Sequence, residues 1–202
     1  MQVRLMITGG TIDKFYNQSN GELEFDKTHF PEMIKRSRIE VNIIPEELTL
    51  IDSLDMVDSD RNLILESCEK CDEQLILITH GTDTMCDTAK LLGERNMKKT
   101  IVLFGAMVPY AVSNSDALFN FGCALGSVQL LGTGVYIFRG FIKEEAKWMC
   151  ESGIDLISGN PNSLTLKQLV NPDNCLAAGG TWLVRTRNAV VVKDKIPYVR
   201  IH

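Results

Sequence analysis

The chain has 202 residues, of which 45% are hydrophobic and 23% are charged, so it can bury a substantial core in one domain. The net charge of -5 and the scattered Lys and Arg residues provide no basic stripe, which argues against nucleic acid as a partner. The apolar run at the amino terminus is too short for a signal peptide or a membrane span, so a cytoplasmic protein with no membrane partner is expected.

Apolar segments alternate with polar ones along the first two thirds of the chain. In chain order they predict a strand at 3–7, a mobile loop to 25, a helix capped by Thr28 and ending near 36, a strand at 41–44, a turn at 52–56, a helix capped at 59–60, a strand at 74–79, a helix to 94, a strand at 100–105, a helix at 115–131 and a strand at 134–138. Near-continuous apolar strands that alternate with helices are typical of an α/β fold with a mostly parallel sheet and helices on both faces. We therefore predict such a domain over residues 1–138.

The sequence after residue 138 departs from this pattern. A charged helix is expected at 143–150, followed by irregular sequence rich in Gly, Asn and Pro and by a β-rich run near 189–193. We interpret 139–202 as an atypical carboxy-terminal segment. Its origin as a divergent extension, a fusion or a frameshift is left open by the sequence.

Six cysteines in a chain with no secretory signal are expected to be reduced thiols. Cys68 and Cys71 form one Cys-x-x-Cys pair, but a zinc site needs a second pair of ligands. The chain has three histidines, and none lies at a ligand-like spacing from these thiols. The pair is therefore interpreted as two cysteines on one helical turn, and no metal site is expected.

Polar residues follow several predicted strands, at the sheet edge where parallel α/β folds bind ligands. They lie at residues 8–12, 52–53, 81–84 and 105–107. Thr11 comes directly after two glycines, whose backbone can approach a ligand closely. A threonine hydroxyl is a weak nucleophile, and a Thr-Asp pair with a lysine is one arrangement that can remove its proton. Thr11 is thus a candidate nucleophile.

Each polar cluster, considered alone, also has a structural explanation. Glycine pairs often follow strands, and Thr82 or Asp83 could simply cap a helix. Gly9 and Gly10 could instead cradle a phosphate, although neither a third spaced glycine nor a Lys-Ser/Thr pair follows them. A nucleotide-binding domain is therefore an alternative.

The clusters together match one family. The matching segments are residues 7–12 (ITGGTI), 52–56 (DSLDM), 80–85 (HGTDTM), 105–109 (GAMVP) and 115–117 (SDA), followed by Asn120. This ordered set resembles the bacterial-type L-asparaginase/glutaminase family, most closely its short single-domain members, over about the first 137 residues.

The resemblance implies an asparaginase amino-terminal domain that needs no metal or organic cofactor. It also implies a small amino-acid amide as substrate, whose side-chain amide is hydrolysed to L-aspartate and ammonia through a threonine acyl-enzyme. Thr11 matches the family nucleophile, and Tyr16 matches the tyrosine that assists it. Ser53 matches the serine that contacts the amino-acid end of the substrate. Thr82 and Asp83 match the second threonine and its aspartate, and the aspartate also pairs with the substrate ammonium.

Two features depart from the family pattern. Full-length members are oligomers whose site is completed by the carboxy-terminal domain of a neighbouring subunit, and residues 139–202 do not resemble that domain; a homo-oligomer is nevertheless an expectation. The family lysine follows the strand that corresponds to 134–137 in a Lys-Asn context that is missing here. Lys143 and Lys147 lie nearby, and Lys147 is the candidate. The alternative is a catalytically degenerate module that binds an amino acid without turnover.

Overall fold

The structure is a computed structural model that describes residues 1–138, 154–157, 183–186 and 189–192. Its strands are β1 (Gln2–Gly9), β2 (Phe15–Asn17), β3 (Glu22–Glu24), β4 (Asn42–Ile51), β5 (Leu75–Thr79), β6 (Thr100–Phe104), β7 (Gly134–Phe138), β8 (Ile154–Ile157), β9 (Leu183–Thr186) and β10 (Ala189–Val192). Its α-helices are α1 (Phe30–Arg36), α2 (Asp58–Lys70), α3 (Met85–Glu94) and α4 (Ala117–Leu130), and a short 3-10 turn covers Thr11–Asp13.

One sheet organises the described residues. Its strand order is β4-β1-β5-β6-β7-β8, and the first five strands are parallel. Strand β8 lies antiparallel to β7, while β2 with β3 and β9 with β10 form separate antiparallel pairs. The predicted α/β fold with a mostly parallel sheet is therefore confirmed.

Helices cover both faces of this sheet because successive side chains along the central strands point in opposite directions. On β5, Leu77 belongs to the buried cluster that includes residues of α1 and α4, whereas Ile76 and Ile78 belong to the cluster formed with α2 and α3. Phe30 and Phe121 meet edge to face at 5.2 Å within the first cluster. Burial of such an apolar side chain contributes roughly 2–3 kcal/mol, so both faces hold the strands in place.

Two elements differ from the sequence prediction. Strand β4 continues to Ile51, seven residues beyond the predicted end at residue 44. Its Pro45 is tolerated because β4 is an edge strand, where a missing backbone N–H need not break a ladder on both sides. The stretch predicted as a loop up to residue 25 contains the β2–β3 hairpin, in which the Gly21 N–H donates to the Asn17 carbonyl over 2.8 Å.

Three helix starts are shifted by one or two residues. Helix α1 begins after His29, and the Thr28 hydroxyl accepts the Phe30 N–H at 3.3 Å. Helix α2 begins at Asp58, so the predicted cap at residues 59–60 lies inside its first turn, where the Asp60 carboxylate accepts the Val57 N–H. Helix α4 begins at Ala117 rather than 115. Shifts of this size are common at helix ends, because several polar residues there compete to satisfy the free amides.

The predicted β-rich run near 189–193 is present as β10. The charged helix predicted at 143–150 lies outside the described residues, as does Lys147. Cys68 lies on the last turn of α2 and Cys71 directly follows that helix, and both are free thiols.

Candidate active site

Three turns meet in close contact at the carboxyl edge of the sheet. Gly10, which follows β1, has φ +77°, and a Cβ placed on it would lie 2.5 Å from the backbone nitrogen of Gly81. A Cβ on Gly81 would lie 2.4 Å from the Ser53 Oγ. Real Cβ atoms do not approach other atoms this closely, so only glycine fits at both positions. We call this contact between Gly10, Gly81 and Ser53 the glycine junction.

Backbone hydrogen bonds fix the first turn of the junction. The Gly10 N–H donates to the Ile51 carbonyl at 2.9 Å, which ties the end of β1 to the end of β4. Gly9 has φ +88°, and a Cβ there would lie 2.6 Å from the Ile51 nitrogen. The two successive positive φ angles turn the chain sharply away from the sheet. This turn leads directly to Thr11.

Thr11 is the first residue of the 3-10 turn and is partly buried. It immediately follows Gly10, and Thr82 immediately follows Gly81, so the junction places the two threonines on adjoining turns. Thr82 is also partly buried, and its hydroxyl lies 4.0 Å from the Met107 Sδ. Asp83 is exposed to solvent.

Ser53 is the most enclosed of the predicted site residues, with 1% of its surface exposed. Its Oγ is buried and has no hydrogen-bond partner among the described residues. Its carbonyl accepts the Thr84 hydroxyl at 2.8 Å, which links this turn to the start of α3. Leaving a buried hydroxyl unpaired costs about 1–3 kcal/mol, so this group can gain from a ligand that supplies a partner.

His80 links the turn of Gly81 to helix α3 through its two ring nitrogens. Its Nδ1 lies 2.8 Å from the Gly81 carbonyl and its Nε2 lies 2.7 Å from the Thr88 hydroxyl. Burial lowers the pKa of His80 to about 4, because the charged ring would lose its hydration. The imidazole is therefore neutral at pH 7 and holds the Gly81 turn against α3.

The loop after β6 is fixed by Asp116. Its carboxylate accepts the Met107 N–H and the Val108 N–H, both at about 3.0 Å, and it also accepts the Asn120 amide at 2.7 Å. The same Asn120 amide donates to the Gly105 carbonyl at 2.9 Å. The sequence identified these positions as part of a motif without predicting their contacts. They hold Met107 beside Thr82.

Tyr16 occupies a different position from the residues of the junction. It lies on β2, where it pairs with Leu23 across the hairpin, and 55% of it is exposed. The structure thus brings together the turns that carry Thr11, Ser53, and Thr82 with Asp83, and it places Tyr16 on the hairpin that follows them.

Two polar groups near the junction were not identified from the sequence. Lys14 forms an ion pair with Asp52, and the pKa of Asp52 is held below its usual value because the Leu54 N–H and Lys14 both donate to it. Asp13 is buried, and burial raises its pKa although the Thr28 hydroxyl and the backbone N–H of residue 29 donate to it. No periodicity or motif distinguishes Lys14 or Asp13, because their contacts, to Asp52 and to residues 28–29, join separate segments of the chain.

In the described part of the chain, no group of three or more His, Cys, Asp or Glu side chains is arranged to hold a metal ion. None of the helices described is long and apolar enough to span a bilayer.

The chain is similar to known proteins in both sequence and structure. The family model "Asparaginase, N-terminal" matches residues 2–140. The L-asparaginase of Thermococcus kodakarensis is 31% identical over 145 residues, which cover 68% of this chain and 43% of that protein. One polypeptide of the glutamyl-tRNA(Gln) amidotransferase of the same organism is 33% identical over 129 residues, covering 60% of this chain and 29% of that protein.

Solved structures give the same result for the fold. The probable cytoplasmic L-asparaginase from Campylobacter jejuni superposes with a TM-score of 0.58 at 28% identity, covering 67% of this chain and 45% of that one. The thermostable L-asparaginase from T. kodakarensis gives a TM-score of 0.65 at 22% identity, covering 98% of this chain and 58% of that one. In the sequence alignments, the chain spans less than half the length of the curated relatives it matches, 43% and 29%. Because the family model matches residues 2–140, the chain belongs to the asparaginase family through the amino-terminal domain of that family.

Proposed function

We propose that the protein hydrolyses the side-chain amide of L-asparagine, or of a related amino acid such as L-glutamine, with Thr11 as the nucleophile. The glycine junction is the observation that carries the proposal. It sets the turn of Thr11 against the turn of Thr82 and Asp83. The Ser53 hydroxyl, which has no hydrogen-bond partner in the part of the chain that the structure describes, lies against Gly81. The turns that carry these polar groups lie at one edge of the sheet, the edge at which parallel α/β folds bind ligands, and this supports the proposal.

In the proposed reaction, the Thr11 Oγ attacks the carbonyl carbon of the side-chain amide. The C–N bond breaks, ammonia leaves with the proton of the hydroxyl, and an ester joins the substrate acyl group to Thr11. Water then cleaves the ester and releases the acid. Thr82 and Asp83, with Lys147 as the candidate lysine and Tyr16 as the assisting hydroxyl, would move the proton.

In this proposal, the turn of Ser53 and the turn of Asp83 recognise the substrate. The Ser53 hydroxyl is buried and unpartnered among the described residues, and it can donate to the carboxylate at the amino-acid end. Asp83 is exposed, and its carboxylate can pair with the ammonium of the substrate. We further propose a cytoplasmic location and a homo-oligomer, in keeping with the probable cytoplasmic relative from C. jejuni for the location.

One observation favours a second function, an amino-acid-binding module without turnover. The match covers 43% of the T. kodakarensis L-asparaginase, so groups that the rest of that protein contributes have no counterpart in the matched region. Such a module would use Ser53 and Asp83 in the same way. It would bind the amino acid without an acyl-enzyme step.

A paired measurement distinguishes the two functions. Calorimetric titration with L-aspartate reports binding, and an ammonia assay with L-asparagine and L-glutamine reports hydrolysis. Binding together with ammonia release supports the hydrolase, and binding alone supports the module. Ser53→Ala should weaken binding about tenfold, whereas Ser59→Ala, which removes an exposed hydroxyl on α2, should have no effect. Absence of both activities in the wild-type protein would refute both functions.

A further inference from the structure

Lys14 lies at the end of the turn that begins with Thr11. Its backbone N–H donates to the Thr11 carbonyl at 3.2 Å, which closes the 3-10 turn. Its ammonium forms an ion pair with Asp52 and lies 5.6 Å from the centre of the Phe25 ring. The Lys14 side chain is only 18% exposed. A lysine that is so enclosed has lost much of its rotamer freedom and is held in one place by its partners.

Asp52 connects this lysine to the turn that carries Ser53. One carboxylate oxygen receives Lys14, and the other accepts the Leu54 N–H at 3.0 Å. The Asp52 carbonyl accepts the Asp55 N–H at 3.1 Å, so side chain and backbone of Asp52 together define the turn. Ser53 lies between these hydrogen bonds, and its direction follows from them.

The Lys14–Asp52 pair affects the position of the buried Ser53 hydroxyl. Its Oγ has no partner among the described residues, and it lies against Gly81 within the glycine junction. A small rotation of the turn at Asp52 would move the hydroxyl relative to any bound amino acid. Because a hydrogen bond weakens steeply with misalignment, the restraint on the turn controls how well Ser53 recognises a ligand.

We propose that Lys14 is a positioning residue for substrate recognition: through Asp52 it locks the turn of Ser53 to the turn of Thr11. Lys14 itself need not touch the substrate. The inference rests on the proposed function, since it assumes that Ser53 contacts the amino-acid end of a ligand. It differs from a purely stabilising ion pair, which would affect unfolding but not the contribution of Ser53 to binding.

The test is a double-mutant cycle on L-aspartate binding, measured by calorimetry with the full chain. Lys14→Met should weaken binding about tenfold in the wild-type background, but less than about twofold in the Ser53→Ala background. Lys14→Arg should restore most of the affinity, because a guanidinium can also pair with the Asp52 carboxylate. Lys70→Met, which breaks the exposed Lys70–Glu66 pair, should leave binding unchanged.

Asp52→Asn provides a second route if Lys14→Met fails to fold, since the amide keeps the shape and the acceptor for Leu54 but removes the charge. Unchanged binding in both variants, or an equal loss in the presence and absence of the Ser53 hydroxyl, would overturn the inference while leaving the proposed function intact. Absence of L-aspartate binding and of ammonia release in the wild-type protein would overturn the proposed function, and the inference with it.

Discussion

Replacing Gly10 with alanine should force apart the two turns that carry Thr11 and Thr82. The new Cβ would lie 2.5 Å from the Gly81 nitrogen, whereas ordinary contact begins at 3.4 Å, so backbone must move by roughly 0.9 Å. With φ +77° and ψ 179°, Gly10 adopts a backbone conformation that is essentially restricted to glycine, so another residue there is strained by about 1–3 kcal/mol, and the overlap adds about 1–3 kcal/mol. We expect Gly10→Ala to lower the free energy of unfolding by about 2–6 kcal/mol and to abolish L-aspartate binding.

Gly21→Ala is the matched control for this prediction. Gly21 has φ +78°, but among the described residues a Cβ there would meet only the Tyr16 hydroxyl, at 3.7 Å. It therefore shares the positive φ without the overlap, and its loss should be smaller, about 1–2 kcal/mol, with normal binding. Urea unfolding followed by circular dichroism gives both free energies. Equal losses in the two variants, or intact binding in Gly10→Ala, would refute the reasoning about the junction.

Three further predictions concern the frame around the site. His80 should contribute a loss of about 3 kcal/mol in the free energy of unfolding as the pH drops from 7 to 4, because the unfolded state binds a proton on this histidine, whereas the folded state, with a pKa of about 4, does not. Urea titrations of the wild-type protein and of His80→Gln between these pH values measure this contribution. Gly122→Ala should raise the free energy of unfolding by about 0.5–1 kcal/mol, because no atom of the described residues lies within 4 Å of the added Cβ on α4; thermal unfolding measures this change. Asp116→Ala should lower it by about 1–3 kcal/mol and should speed hydrogen exchange at the Met107 and Val108 amides, which lose their acceptor.

Each of these predictions has a contradicting outcome. A pH profile that is as steep in His80→Gln as in the wild-type protein would assign the acid loss to other groups. A lower melting temperature for Gly122→Ala would show that this part of α4 packs against something. Continued protection of the two amides in Asp116→Ala would mean that the loop after β6 has another anchor.

Much of the sheet could be predicted from the sequence because its central strands are buried on both faces. Strands β5 and β6 are near-continuous apolar runs, and such runs between helices are typical of parallel sheets. The polar segments after them could then be placed on one edge by the general geometry of the fold. The positions of Thr11 and Ser53 at that edge follow from this reasoning.

The elements that were predicted poorly are those that do not depend on apolar periodicity. The β2–β3 hairpin is held by polar groups, such as the Asn17 amide that donates to Glu24 at 2.8 Å. Strand β4 contains Pro45, which is compatible with an edge strand but not with a central one. The pair of Lys14 and Asp52 joins residues 38 positions apart, and such contacts leave no local pattern.

The most direct test of the central claim is ammonia release from L-asparagine and L-glutamine by the wild-type protein and by Thr11→Val. Valine matches threonine in shape and removes the hydroxyl, while Thr49→Val on β4 controls for the same change elsewhere. The account predicts release by the wild-type protein and by Thr49→Val, and none by Thr11→Val in a protein that still unfolds normally. Release at the wild-type rate by Thr11→Val would contradict the assignment of Thr11 as the nucleophile.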